Sequence, residues 1–399
     1  MAHFIDNDWK LNKNVLNFCP ISSHRGEAIG KAVEKCLIEW EIDKVFTITV
    51  DNASSNNVAI TYLKRKISNW ETYILDVKLL HMRCIAHIIN LVVNDGLKEM
   101  GKSISCAREA VRYVRQSSAR LQKFKEFVKV EKIQSKSLLY LNVSTRWNST
   151  YLMLDAAQKF ERVFERFEDH DSQFRSEFEM EDGIPTCFDW ENVRRLVLFL
   201  QYFYNLIVRV SGSLYVTSNN FVHEINVVKC LLQKWVNSDD KNLREMAKRM
   251  KGKYDKYWGN IEKMNKLIYI TIVLDPRHKL EYVEFVLNET YQCAKGHEFA
   301  KRVREALYEL YNEYKSMFAP QSGSGQTIEN VKCSILSEIE SEQPQQSQAK
   351  KILTMSQFKK YKSVSRGGDA KSELDKYLNE DTKHGQGNDD FDIFKMVES

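Results

Sequence analysis

The chain has 399 residues, of which 43% are hydrophobic, enough to fill cores in two domains of ordinary size. Its 5 Pro and 15 Gly are too few for collagen-like, Pro-rich or turn-dense all-β architectures, so helix should dominate. A net charge of +5 does not by itself declare a nucleic-acid binder. No apolar run approaches the roughly 20 residues of a membrane span, and the opening MAHFIDNDWKLNK lacks the order of a signal peptide, so a soluble intracellular protein is expected.

In chain order, Ala2 to Ile5 and Val15 to Ile21 read as strands, and Glu27 to Trp40 as a helix with Ile29, Val33, Cys36, Leu37 and Trp40 on one face. VFTITV at Val45 to Val50 is a β-branched run of the kind buried on both faces of a sheet. A helix over Val58 to Ile67, a short strand at Val77 to His81 and an apolar helix at Ile85 to Leu97 follow. This alternation predicts an α/β region with a mixed sheet over residues 1–97.

From 98 to 318 no strand pair is evident, and an all-α domain is expected. One helix carries Ala110, Val114, Leu121, Phe124 and Val128 as an apolar stripe, with Arg108, Arg112 and Arg115 on another face. Further helices are expected over Trp190 to Val210, Asn219 to Asn237, Leu243 to Trp258 and Phe299 to Phe318. In LDPRHK, Asp275 reads as a cap and Pro276 as the first helical residue. Residues 319–399 turn polar (QSGSGQ, SEQPQQSQ, SRGGD) and are expected to be mostly disordered, with short helices possible at Lys350 to Lys362 and Glu373 to Asn379.

Charge is unevenly distributed. Residues 98–136 carry eleven Lys/Arg against four Asp/Glu, and residues 241–266 nine against three. Residues 161–191 reverse this, with three basic and eleven acidic residues. The two basic blocks are suited to phosphate, and equally to solvated helix faces.

The short motifs each admit two readings. Asp51 follows a strand and opens the next helix, where α/β folds place ligands and metals; Asp51 or Ser54 acting as a simple cap has the same spacing. Cys84 and His87 stand at i and i+3, but no second pair follows at zinc spacing, and the eight Cys contain no C-x2-C. No zinc site is expected, and a helix-packing or site-orienting pair fits better. Arg146 and Trp147 precede a helix, where the Arg could hold a phosphate and the Trp stack on a base, or the Trp could be a buried anchor. No Walker A, dinucleotide, zincin or nucleophile-elbow motif occurs.

Taken in order, AHFIDNDWKLNKNVLNF, HRGEAIGKAVEKCLIEWEIDKVFTITVDNASSNN, LLHMRCIAHIINLVVNDGL, STRWNSTYLML and LDPRHKLEY resemble the plant hAT transposases, in particular the ricesleeper-type branch. The resemblance implies an RNase H-like core interrupted by a large helical insertion, with a BED zinc finger before it and a dimerisation region after it. It implies three acidic residues holding two divalent cations, usually Mg²⁺, for strand cleavage and transfer. Asp51 matches the second of these, Cys84 and His87 the C-x2-H near the active site, and Arg146 with Trp147 the R-W motif, whose Trp helps hold a flipped base. On this reading the strand bearing the first acid would precede Met1, and the third acid would follow Ser399.

The expected fold is therefore α/β plus α: a truncated RNase H-like core at 1–97 lacking its first strand, a helical insertion at 98–318, and a mostly disordered linker at 319–399. With Asp51 alone the Mg²⁺ site is incomplete, and no autonomous DNA cleavage is expected. Loss of a central strand would also leave residues 1–97 marginal by themselves. The leading expectation is a nuclear, catalytically incomplete DNA-binding protein using Arg108, Arg112, Arg115, Arg146 and Trp147. The alternatives are a protein-interaction remnant that modulates a full-length transposase-like relative, or an element fragment without a selected function. No membrane association or small-molecule cofactor is expected.

Overall fold

The computed structural model describes residues 1–317 and 372–382, apart from 9, 22, 71–73, 136, 138, 144–145, 179–182, 212–217 and 292. These residues form two compact units, one within 1–70 and 80–265, the other within 74–79 and 266–382. The expected helix at 350–362 and most of the expected disordered tail lie outside the described residues.

The first unit opens with an antiparallel hairpin, β1 (Ala2–Ile5) and β2 (Leu11–Asn14), in register from Ala2 with Asn14 to Ile5 with Leu11. Asp6 closes it: Oδ1 accepts from the N–H groups of Asp8 at 3.0 Å and Lys10 at 2.9 Å. Because this side chain turns the chain back so soon, the second strand is Leu11–Asn14, and Val15 to Ile21, expected as a strand, contains none among its described residues.

Helices α1 (Gly26–Glu39) and α2 (Ser54–Ile67) pack through small residues on α1, with Gly26 and Gly30 both buried. A methyl group on Gly26 would meet the Ser55 carbonyl oxygen and come within 2.5 Å of Val58 Cβ. Gly26→Ala should therefore force the helices apart and lower stability by about 2 kcal/mol. Denaturant unfolding checks this, and an unchanged midpoint would show that the helices can separate freely.

Strands β3 (Ile48–Val50) and β4 (His81–Arg83) form a parallel pair, with Ile48 opposite His81 and Val50 opposite Arg83. Two expectations are corrected here. The Val45 to Val50 run is only half-buried, with three residues in the strand, so it is not an interior strand covered on both faces. The strand expected at Val77 to His81 begins instead at His81. Leu75, Asp76 and Val77 take positive φ values of 47°, 48° and 50°, and the Glu313 carboxylate accepts from the Leu75 N–H at 2.8 and 2.9 Å. Among the described residues the strands make two separate two-stranded sheets and not one mixed sheet.

The rest of the first unit is helical: α3 (Ile85–Leu97), α4 (Gly101–Arg115), α5 (Ser118–Val130), α6 (Trp147–Ala157), α7 (Glu161–His170), α8 (Ser172–Phe178), α9 (Cys187–Val210), α10 (Phe221–Val236) and α11 (Lys241–Trp258). The single helix expected to carry both Ala110 and Val128 is two, because Ser117 is extended and caps α5 through the Arg120 N–H. Helix α9 starts with a capping box between Thr186 and Asp189. The core that these helices share is aromatic, with Tyr113 5.0 Å from Phe174 and Phe164 5.5 Å from Trp190, ring centre to ring centre. α3 packs on α11 and α9, so the segment 1–97 does not end in a free-standing element.

In the second unit, α12 (Leu267–Val273), α13 (Lys279–Thr290), α14 (Cys293–Met317) and α15 (Glu373–Asn379) pack together. α15 has the bounds read from the sequence. Lys279, 3% exposed, donates to the backbone carbonyls of Tyr377 at 2.5 Å and Glu380 at 2.9 Å, which holds α15 in place. The cap expected at Asp275 is not one. Residues 275–278 form a turn in which buried Asp275 accepts from the Arg277 N–H at 3.0 Å and from its guanidinium at 2.7 Å, and the helix starts only at Lys279. Among the described residues no helix is long and apolar enough to cross a membrane.

Candidate nucleic-acid interface

The parallel pair brings the two sequence-separated motifs to one edge. Asp51 follows the last residue of β3, Cys84 follows the last residue of β4, and the Cys84 N–H donates to the Val50 carbonyl at 2.9 Å. Cys84 is the residue before α3, not within it, and His87 lies in the first turn; both are half-buried. The expected i, i+3 helix-face pairing is thus a cap residue followed by a first-turn residue. Asp51 is exposed, and its Oδ1 accepts from the Ala53 N–H at 2.8 Å and the Asn56 side-chain amide at 2.6 Å, organising the entry to α2.

A two-cation centre needs several carboxylates around both ions. Among the described residues no three His, Cys, Asp or Glu side chains gather in that way. The donor set in hand does not fit two Mg²⁺ ions, and Asp51 serves its neighbouring helix. Asp51→Ala is expected to cost only about 1 kcal/mol, the worth of hydrogen bonds in an exposed turn. A loss of several kcal/mol on urea unfolding would mean that Asp51 has a larger structural task.

The Arg146–Trp147 pair divides between surface and core. Arg146 is exposed and caps α6, while Trp147 is 2% exposed and belongs to the main core. Ser149 Oγ donates to the Arg146 carbonyl at 2.7 Å and receives the Val143 N–H at 2.7 Å, drawing the turn tight. A base cannot reach the Trp147 ring while this core is closed, so the expectation that Trp147 stacks on DNA is corrected to that of a buried anchor. The residues missed were Tyr140, Leu141 and Val143, exposed by 47%, 52% and 53% on the irregular segment leading to Arg146. Their signal was LLYLNV, an apolar run with neither helical nor strand flanks.

The acidic block neutralises part of the first basic block. Arg120 pairs with Glu177 at 3.1 Å and Lys123 with Asp171 at 3.0 Å, while Arg166 of the acidic block pairs in the opposite sense with Glu131 of the basic one at 2.6 Å. Arg120 also lies 3.6 Å over the Tyr113 ring, whose hydroxyl donates to Asp171 at 3.3 Å; burial, then Asp171, pushes that phenol up to about 12. α5 therefore spends much of its charge inside the unit. Arg115 at the end of α4 is exposed and has no acidic partner among the described residues, whereas Arg112 pairs with Glu109 at 2.7 Å and Arg108 is half-buried. On α11, Arg249 pairs with Glu99 at 2.7 Å and Lys251 with Asp255 at 2.5 Å, while exposed Lys241 and Lys256 have no acidic partner among the described residues.

Comparison with known proteins adds an independent line. Three family models match successive stretches: the ZBED1 RNase-like domain at 1–79, the ZBED1 RNase-like helical domain at 82–199, and a hAT-like transposase RNase-H fold at 219–314. The zinc finger BED domain-containing protein RICESLEEPER 2 of Oryza sativa subsp. japonica is 33% identical over 324 residues, covering 80% of this chain and 43% of that protein. DAYSLEEPER of Arabidopsis thaliana is 28% identical over 381 residues, 95% of this chain and 50% of that protein. A putative AC transposase of Zea mays is 30% identical over 318 residues, 78% of this chain and 38% of that protein. The chain thus spans half or less of the length of these relatives. Since RNase-like and transposase models follow one another along it in the order expected from its sequence blocks, the chain belongs to the hAT transposase family.

Proposed function

We propose that this chain is a hAT transposase-derived, nuclear DNA-binding module, and that the residues described here do not cleave DNA by themselves. The observation that carries the proposal is Arg115 exposed at the end of α4, on the helix that also presents Arg108 and Arg112, in a protein whose relatives include a transposase by name. Together with Arg146 and the exposed lysines of α11, Arg115 would take the phosphate backbone, with Arg108 and Arg112 contributing positive charge beside it. With Trp147 in the core, Tyr140, 47% exposed on the segment leading to Arg146, is the aromatic side chain beside this motif that could stack on an unpaired base. Ligand count supports the second half of the proposal: Asp51 stands without two further carboxylates beside it among the described residues. Equilibrium binding to duplex DNA as a function of salt tests the reading, and weak binding that ignores salt would defeat it.

A second reading rests on the hairpin. Phe4 and Ile5 of β1 and Leu11 of β2 are 46%, 47% and 38% exposed, followed by Val15 at 66% and Phe18 at 100%. So much apolar surface on a two-stranded sheet and the segment that follows it favours a protein partner, such as a full-length transposase-like relative. Pull-down with such a relative in the absence of DNA distinguishes this reading from the first.

A further inference from the structure

A cleft of about 260 Å³ opens within the first unit where the first turns of α4, α9 and α11 approach one another. Its lining mixes apolar groups, Met100 and Phe188, with buried polar ones, Asn192 3%, Asp189 6% and Ser103 7% exposed. The carboxylate there is fully engaged. Ser103 Oγ donates to Asp189 Oδ1 at 2.8 Å, and the Thr186 N–H and hydroxyl donate to Oδ2 at 3.0 and 2.6 Å. Burial opposes the Asp189 charge, but these bonds hold its pKa below the ordinary range. Glu99 at the rim is paired with Arg249 at 2.7 Å, while Asp189, held by neutral donors, keeps its negative charge and Lys102 is the cation that faces it.

What the cleft leaves open is amide, aromatic and cation. Asn192 gives one N–H to Ser103 Oγ at 3.2 Å, which leaves its second N–H and its carbonyl for a ligand. The side-chain amide of Asn242 has no partner among the described residues, and its backbone N–H donates to Asp240 at 2.9 Å. Phe188 lies at the mouth, 61% exposed, although it belongs to a helix whose neighbouring Asp189 and Trp190 are buried. Lys102 completes the rim.

We propose that this cleft binds a nucleotide, with the base against Phe188, its donor–acceptor edge on the amides of Asn192 and Asn242, and its phosphate on Lys102. A carboxamide offers a donor and an acceptor side by side, which matches the edge of adenine, and an exposed ring supplies the stacking face. The inference does not rest on the DNA-binding reading, because a mononucleotide alone tests it.

The test is titration of the full chain with the 2-aminopurine deoxynucleoside monophosphate, followed by its fluorescence. A saturable change is expected, competed by dAMP, weakened about tenfold by Phe188→Ala or Asn242→Ala, and retained in Phe188→Tyr. Both positions have solvent-accessible side chains, and unchanged thermal melting of each variant excludes unfolding as the cause. No saturable change overturns the proposal, as does equal binding by both alanine variants, or competition by ribose 5-phosphate as effective as that by dAMP. Placing 2-aminopurine within a single strand distinguishes the sources: a saturable change there assigns the occupant to a base of a strand, and a change with the mononucleotide alone assigns it to free nucleotide.

Discussion

Trp147→Ala is expected to lower the stability of the first unit by about 3–5 kcal/mol, the usual cost of emptying a buried indole site. The side chain is 2% exposed at the first residue of α6, within the same core as Tyr151, Leu154 and Trp190. Against a typical total of about 5–15 kcal/mol, such a loss would leave a marginal protein largely unfolded near body temperature. Tyr140→Ala should behave differently. Tyr140 is 47% exposed, so the change should stay within about 0.5 kcal/mol of wild type while weakening single-strand binding. Chemical denaturation and strand binding of the two variants separate anchor from stacking platform. Full stability of Trp147→Ala with lost binding would return the indole to the interface and overturn this assignment.

DNA affinity should fall about 10²-fold between 50 and 200 mM salt if about four cations each neutralise one phosphate, since each displaced counterion contributes about −0.9 to the logarithmic slope. Arg115→Ala should lower that slope by about one and weaken all sequences alike. Lys123→Ala should act instead through stability, because its ammonium pairs with Asp171 at 3.0 Å and its side chain is 35% exposed. The contrast distinguishes charge that faces solvent from charge consumed within the fold. A steep loss of slope in Lys123→Ala, with Arg115→Ala silent, would move the interface from α4 to α5.

The helices were legible in the sequence where periodicity was strong. The bounds of Ile85–Leu97 follow from an apolar run between two polar breaks, which leaves little choice; Glu373–Asn379 is only a possible short helix in the sequence, and the capping box between Ser372 and Asp375 is what the structure adds. Local signals were weaker at the strands. Val45 to Val50 has the composition of an interior strand, but only Ile48–Val50 pairs, because the partner available to it is the three residues of β4. The Ser117 break was overlooked because apolar spacing continues across it, and a cap announces itself only through a hydrogen bond to a backbone N–H.

The candidate site divides in the same way. Local chain order places Asp51 directly after a strand, Arg146 before a helix and three arginines at helical spacing on α4, and these placements depend on little beyond residue type and interval. Whether each group faces water depends on partners far along the chain. Arg120 and Lys123 meet acids 57 and 48 residues away, and Trp147 meets a core built from α3 to α11, so sequence could not say that the first two are neutralised or that the third is enclosed. Helical propensity, family membership and the layout of charge were thus determined by the sequence itself, because they depend on local spacing and ordered motifs. Exposure, ion pairing and the convergence of α4, α9 and α11 on one cleft were decided by the tertiary structure, because burial and Coulomb energy depend on neighbours in space.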